Sequence, residues 1–229
     1  MNCSGCSSTP SLYSRTMPIT AKICGLSTPE TVDAAIGGGA SHLGFNFFPP
    51  SPRAVSFDTV AGLAARVPPH VTRVGVYVDP DDELLERSIA AGQLDAVQLH
   101  RVTPDRAAAV RARFARKLWA VVAVKSRTDL DQARGYAGAA DCILYDARTP
   151  DDAALPGGMG VRFDWTLLEG FRHPLPWALS GGLDASNVGE AIHRTGATLV
   201  DVSSGVETAP GVKDAGLIAA FLKEVASAF

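Results

Sequence analysis

A thiol and a carboxyl stand out among the residues able to do chemistry. Cys24 ends a short apolar run and precedes Gly25, and Asp146 ends the run Cys142-Ile143-Leu144-Tyr145-Asp146. A thiol at a strand tip beside a turn glycine is expected to be accessible and able to titrate. Cys142, in the middle of its run, reads instead as a small buried hydrophobe. Taken alone, Asp146 reads equally well as an aspartate capping a turn. Two glycine-bearing stretches complete the set: Ser180-Gly181-Gly182-Leu183-Asp184, and Asp201-Val202-Ser203-Ser204-Gly205-Val206-Glu207. Glycines let backbone approach a ligand and expose N–H groups, and a helix N-terminus adds about half a positive charge. Together the two stretches form an anion cradle that needs no Lys or Arg.

The elements that must position these groups alternate in texture. Apolar, β-branched runs cover 20–24, 42–48, 71–78, 96–100, 118–124, 141–146, 177–180 and 198–203, recurring about every 25 residues. Segments with helical period follow at 29–36, 81–91, 103–114, 128–135, 185–195 and 214–225. Ser27-Thr28-Pro29-Glu30 matches a capping box, so a helix is expected to open there, and Gly37–Gly39 to close it. Alternating strand and helix implies a parallel sheet with helical crossovers. Eight units, with no G-x-G-x-x-G after the first strand, favour an α/β fold closed as a (β/α)₈ TIM barrel over an open doubly wound sheet. No shift in composition interrupts residues 18–229, which read as one domain. Residues 1–17, rich in Ser, Thr and Pro, read as a disordered tail or as an upstream start ahead of Met17.

In such barrels the active site forms where strands end and loops begin. The polar residues at those ends are Cys24, Asn46, His100, Asp146, Ser180, Asp201, Ser203 and Ser204. Alternation assigns their faces. In Val200-Asp201-Val202-Ser203 the valines suit the helix layer, which turns Asp201 inward. Lys22 shares a face with Cys24 and, inside a barrel, needs an anionic partner, for which Asp201 on the neighbouring strand is the candidate. The first and sixth strands end roughly 14 Å apart across the mouth of an eight-strand barrel. That leaves space for a sugar between Cys24 and Asp146, an arrangement suited to a base and an acid. The glycine stretches follow the seventh and eighth strands, the usual place for a phosphate in this architecture.

Bulk properties remove other classes. The 229 residues carry a formal net charge of −3, with 46% hydrophobic and 20% charged residues. That is ordinary globular composition with no basic stripe for nucleic acid. No apolar run approaches the roughly 18 residues needed to span a bilayer, and there is no signal-peptide core. Four cysteines do not make a disulfide scaffold in a chain this long, which points to a reducing cytoplasm. Cys3 and Cys6 form a CxxC without the two further ligands that a structural zinc needs.

Lys22-Ile23-Cys24-Gly25, Ser51-Pro52-Arg53, Gln98-Leu99-His100, Phe163-Asp164-Trp165 and the two glycine stretches, in this order and spacing, resemble the phosphoribosylanthranilate isomerase family. The resemblance implies a metal-free, cofactor-free Amadori rearrangement of N-(5-phosphoribosyl)anthranilate in tryptophan biosynthesis. It implies Asp146 as general acid and Cys24 as general base. Arg53 would hold the anthranilate carboxylate, and Gly181, Gly182, Ser203, Ser204 and Gly205 would hold the phosphate. Two positions depart from the family pattern: Arg101 follows the Gln-Leu-His where glycine is usual, and Met159 replaces a common threonine in the glycine-rich loop after the sixth strand. The sister isomerase of histidine biosynthesis would want an aspartate in place of Cys24, and a ribulose-phosphate epimerase would want metal-binding histidines. A barrel that binds phospho-ligands without catalysis would be expected to have replaced Cys24 or Asp146. The expected partner is a small phosphorylated substrate, with no nucleic acid or membrane, and the protein a monomer or homodimer.

Overall fold

A computed structural model describes residues 18–149 and 157–228. The tail at 1–17, with Cys3 and Cys6, lies outside the described residues. Eight strands close in sequence order: β1 (Thr20–Cys24), β2 (His42–Asn46), β3 (Thr72–Val78), β4 (Ala96–His100), β5 (Lys117–Val124), β6 (Cys142–Ala147), β7 (Trp177–Leu179) and β8 (Leu199–Val202). All eight pairings are parallel, with β8 returning to β1 through Lys22 opposite Asp201. The expectation of a closed barrel holds.

Among the described residues six α-helices cover the strands: α1 (Pro29–Gly37), α2 (Phe57–Ala64), α3 (Asp82–Gly92), α4 (Pro104–Phe114), α5 (Val188–Thr195) and α6 (Ala215–Ser227). The start of α1 differs from the expected capping box. Thr28, not Ser27, is the cap, and its hydroxyl accepts from the Thr31 N–H with Pro29 in the first turn. Proline there suits a position whose N–H has no helical partner. Sequence periodicity missed α2, a helix of only eight residues whose cap is Ser56, accepting from the Thr59 N–H. The segment expected as a helix after β5 is a 3₁₀ helix, Arg127–Tyr136, rich in Asp and ending on Gly135-Tyr136. Asp129 accepts from the Lys125 and Ser126 N–H groups, which ties the entry tightly. After β6 the described covering element is the short 3₁₀ helix Trp165–Leu168, capped by Asp164. Beyond β8 the chain forms a small antiparallel hairpin, β9 (Glu207–Ala209) with β10 (Val212–Lys213), which periodicity did not show.

Two apolar layers result. Ile23, Leu43, Phe45, Val97, Leu99, Ile143, Tyr145, Val200 and Val202 face the helices. Val74, Ala96, Trp119, Cys142, Leu144 and Ala178 fill the barrel interior. His42 meets the edge of Trp119 within it at 5.1 Å. Above this layer the interior turns polar with Lys22 and Asp201, and the reading from strand alternation is borne out. Lys22 Nζ donates to Asp201 Oδ1 at 2.8 Å, with the lysine side chain wholly buried. Asp201 Oδ2 also accepts from Ser180 Oγ at 3.2 Å.

Arg101 sits directly after β4 with φ of 57°, the left-handed region that glycine enters freely. Its departure from the family pattern therefore carries a backbone cost, about 1 kcal/mol for a residue with a Cβ. Arg101→Gly is expected to raise unfolding free energy by about 0.5–1 kcal/mol, part of the relief being offset by a more flexible unfolded chain. Urea denaturation measures this, and a loss of stability would contradict it. For the buried pair, Lys22→Met or Asp201→Asn alone is expected to cost about 3–5 kcal/mol, since each strands its partner without water. The double variant Lys22→Met/Asp201→Leu is expected to recover most of that loss. A double variant as unstable as the sum of the singles would show that the pair stabilises the barrel beyond mutual compensation.

Candidate active site

One cavity opens at the C-terminal ends of the strands. Its lining brings together Cys24, Asn46, Arg53, His100, Asp146, Ser180, Gly181, Gly182, Asp201, Ser203 and Ser204. Every polar strand-end residue singled out from the sequence is therefore at this mouth. Gly205 stands directly behind: a Cβ there would lie 1.9 Å from the Leu183 carbonyl oxygen, so only glycine lets the two loops pack. Gly157, Gly158, Met159 and Gly160 cover one side, and Met159 remains half-exposed.

Cys24 departs from the expected accessibility. It is 8% exposed, because the turn after β1 folds back, with the Gly25 and Leu26 N–H groups both donating to the Gly44 carbonyl. Burial pushes the thiol above its ordinary value, and the adjacent Asp201 charge adds to that. The Lys22 ammonium, on the same face of β1, pulls it back by charge and hydrogen bond, and Lys213 pulls in the same direction. The thiol is thus a shielded group at the cavity wall whose ionised form is supported by two lysines.

Asp146 is also buried, and burial pushes its carboxyl up to about 7. The Asp201 charge adds to the shift, while the Ala147 N–H, Lys22 and Ser180 oppose it. The Ala147 N–H donates to Oδ1 at 2.9 Å, and Oδ2 faces the glycine-rich loop, where a Cβ on Gly157 would come within 2.6 Å. A carboxyl in this state holds a proton near neutrality and can give it away. His100 is driven the other way, down to about 3, by burial first and then by Lys22 and Arg101. Its neutral imidazole pairs with the Gln98 amide at 3.1 Å.

The glycine loops present donors as expected, by a different route. The N–H groups of Gly181, Gly182, Ser204 and Gly205 make no hydrogen bond to a described residue. Gly181 and Gly182 take φ of 92° and 61°, and a Cβ on Gly181 would lie 2.7 Å from the Ala147 nitrogen. The expected helix at 185 begins only at Val188, because Asp184 accepts from the Ser186 N–H and Asn187 accepts from the Asp184 N–H to form an intervening turn. The cradle is therefore a set of loop amides rather than the first turn of α5.

Arg53 is held more firmly than a loop arginine needs to be. It is 5% exposed and grips Glu207 through Nε–Oε1 and Nη2–Oε2 contacts of 2.7 Å each, with Nη2 also donating to the Gly158 carbonyl. Glu207 Oε1 additionally accepts from Lys213 Nζ at 2.6 Å. Glu207 entered the sequence reading only as the end of a motif and Lys213 not at all. Both lie on the β9–β10 hairpin, whose course back to the mouth is a tertiary fact. Among the described residues no group of three or more His, Cys, Asp or Glu side chains is placed to hold a metal.

The family described as N-(5'phosphoribosyl)anthranilate (PRA) isomerase matches residues 21–224. A curated N-(5'-phosphoribosyl)anthranilate isomerase of Zymomonas mobilis subsp. pomaceae is 56% identical over 211 residues, covering 91% of this chain and 99% of that relative. The crystal structure of phosphoribosyl anthranilate isomerase from Thermotoga maritima superposes with a TM-score of 0.82 at 35% identity, covering 92% of this chain and all of that one. A phosphoribosyl anthranilate isomerase solved in complex with reduced 1-(o-carboxyphenylamino)-1-deoxyribulose 5-phosphate superposes at 0.79 with 32% identity, with the same coverage. Matched along nearly its whole length in sequence and in fold, this chain belongs to the N-(5'phosphoribosyl)anthranilate (PRA) isomerase family.

Proposed function

We propose that this protein catalyses the Amadori rearrangement of N-(5-phosphoribosyl)anthranilate to 1-(2-carboxyphenylamino)-1-deoxyribulose 5-phosphate in L-tryptophan biosynthesis, an aldose–ketose isomerisation needing no cofactor. The observation that carries it is a thiol and a proton-holding carboxyl lining one cavity beside two loops of unspent amides. The same reading places the protein in the reducing cytoplasm, as a monomer or homodimer acting on a small phosphorylated substrate.

The phosphate would sit on the amides of Gly181, Gly182, Ser204 and Gly205 with the Ser203 and Ser204 hydroxyls beside them. Arg53, with Nη1 making no hydrogen bond to a described residue, would meet the anthranilate carboxylate. Asp201 would serve the substrate indirectly, by holding Lys22 and Ser180 in place. Asp146 would protonate the furanose ring oxygen as the C1–O bond breaks, the nitrogen lone pair forming an iminium. The iminium acidifies the C2 proton, which the Cys24 thiolate would remove to leave an enolamine. Return of a proton to C1 and loss of the C2 hydroxyl proton then give the ketone, so the isomerisation balances without an external reagent. Lys22 supports the thiolate while Asp201 keeps the proton on Asp146, one ion pair serving opposite needs.

Loss of anthranilate fluorescence on adding purified protein to the substrate tests the activity, and an inert protein would overturn the reading. Cys24→Ser and Asp146→Asn are each expected to lower kcat by about 10²–10⁴ with little change in affinity for the reduced product analogue. Because catalysis needs Asp146 protonated and Cys24 ionised while their affinities for the proton run the other way, kcat/KM is expected to be bell-shaped with its acid limb near 7. Asp146→Asn is expected to abolish that limb. A folded-state carboxyl raised to about 7 stabilises the fold at low pH and loses that contribution as pH rises through this value. Asp146→Asn is therefore expected to gain about 2–4 kcal/mol of stability over wild type at alkaline pH, a gain that vanishes towards the unfolded carboxylate range. Equal stabilities across that range would remove the assigned ionisation.

A further inference from the structure

The hairpin lysine has no part in the reaction as derived above, yet it is among the most confined charges in the molecule. Its side chain is 1% exposed. All three protons of Nζ are committed: to the Ser203 carbonyl at 2.9 Å, to Ser203 Oγ at 3.3 Å and to Glu207 Oε1 at 2.6 Å. Ser203 Oγ in turn donates to the Cys24 carbonyl at 3.2 Å. The donors thus run in one direction, from Lys213 through the Ser203 hydroxyl to the backbone of the residue bearing the thiol. A second branch runs from Lys213 through Glu207 to both nitrogens of Arg53 that the carboxylate holds.

Three places at the mouth meet at this one ammonium: the phosphate loop, the thiol-bearing end of β1 and the arginine expected to meet a carboxylate. Ser203 takes φ −127° and ψ −83°, well away from helix and strand values, directly before the Ser204 and Gly205 N–H groups that make no hydrogen bond to a described residue. The buried ammonium bonds both the carbonyl and the hydroxyl of Ser203 and so holds the residue at this bend. The cluster of Lys213, Glu207 and Arg53 carries one excess positive charge, fitted to a ligand bearing a phosphate and a carboxylate.

We infer that Lys213 is a positioning residue that sets the phosphate-binding bend at Ser203, the Cys24 backbone and the Arg53–Glu207 pair relative to one another. The inference rests on the isomerase reading for its catalytic meaning but not for its phosphate or thiol consequences. Around Cys24 the charged and titratable groups are Lys22 on the same strand, Asp201 on β8 and Lys213 on β10. Arg53, His100 and Asp146 line the same cavity. Burial is the main force raising the thiol, and Lys213 opposes it together with Lys22. Removing Lys213 therefore leaves Lys22 as the one remaining lysine acting against burial and Asp201 among these groups.

The test compares Lys213→Met, Lys213→Gln and Lys213→Arg with wild type in the full chain. Inorganic phosphate binding is read by calorimetry, and Cys24 ionisation by ultraviolet thiolate absorbance against a Cys24→Ser reference. Lys213→Met is expected to weaken phosphate about tenfold and to move the thiol titration, with the alkaline limb of kcat/KM, upward in pH. Lys213→Gln is expected to move the thiol similarly, while Lys213→Arg restores the titration and brings phosphate affinity to within about twofold. If Lys213→Met does not fold, the Gln and Arg variants decide the matter by the same readouts. Loss of melting temperature alone, with phosphate affinity and thiol titration unchanged, would reduce Lys213 to a structural residue and overturn the inference. A wild-type protein that binds phosphate but does not isomerise would sink the isomerase reading, with the phosphate and thiol shifts still deciding the role of Lys213.

Discussion

A charge inside a barrel has almost no water to solvate it, so each one must find a partner or give up its charge. Lys22 and Asp201 solve this by facing one another across β1 and β8, and the rest of the mouth is arranged around the pair. Burial disfavours the ammonium, but attraction to Asp201 and Cys24 and hydrogen bonding to them outweigh it and hold Lys22 protonated well above its ordinary range. The two functional candidates then respond to the same dipole from different positions. Cys24, beside Lys22 on one strand, feels mainly its ammonium, whereas Asp146 across the mouth feels Asp201 more than Lys22. A fixed ion pair thereby favours a thiolate on one side and a carboxylic acid on the other. In a neutral apolar interior burial alone would protonate both, so it is the thiolate above all that depends on the Lys22 charge.

The second buried network has a different character. Arg53, in the loop after β2, is joined to Glu207 and Lys213 on the β9–β10 hairpin, far away in the chain, and their contacts are bidentate or short. Strands supply the reacting groups, which are stiff because the sheet is. Loops supply the binding groups, which become stiff only because ionic contacts tie them down. This division explains why the hairpin β9–β10 exists at all: it contributes almost nothing to the apolar core, yet delivers Glu207 and Lys213 to the mouth. The price is that several charges must be desolvated together, so the loss of one leaves the others exposed to the penalty they shared.

Glycine has a narrow role in the same economy of space. Gly205 allows the loop after β8 to touch the loop after β7, where any Cβ would overlap the Leu183 carbonyl, and Gly181 allows backbone to pass the Ala147 nitrogen. The result is a surface of amide hydrogens without side chains in front of them. Arg101 shows the opposite case, a large residue in a conformation that favours glycine, at the rim where its charge also helps keep His100 neutral.

Much of this was legible in the amino-acid sequence because strand alternation is a local property. Val200-Asp201-Val202 can present Asp201 only to the face opposite the valines, and the same rule puts Lys22 and Cys24 on one side of Ile23. The order of eight runs, the closure they imply, and the placement of Cys24, Asp146 and both glycine loops at one end follow from that rule together with chain order. What the tertiary structure decided were the quantities that depend on distant neighbours. The burial of Cys24 comes from the turn at Gly44, the rise of Asp146 from its burial and then from Asp201 on another strand, and the grip on Arg53 from a carboxylate that lies 154 positions away in the chain. The start of α5, delayed by the Asp184–Asn187 turn, and the 3₁₀ form of Arg127–Tyr136 were likewise settled by local hydrogen bonds that compete with helix and that periodicity does not register. A pattern of residue types determines which face a side chain takes; only the assembled chain determines which charges it meets there, because solvation and electrostatics are summed over everything that surrounds it.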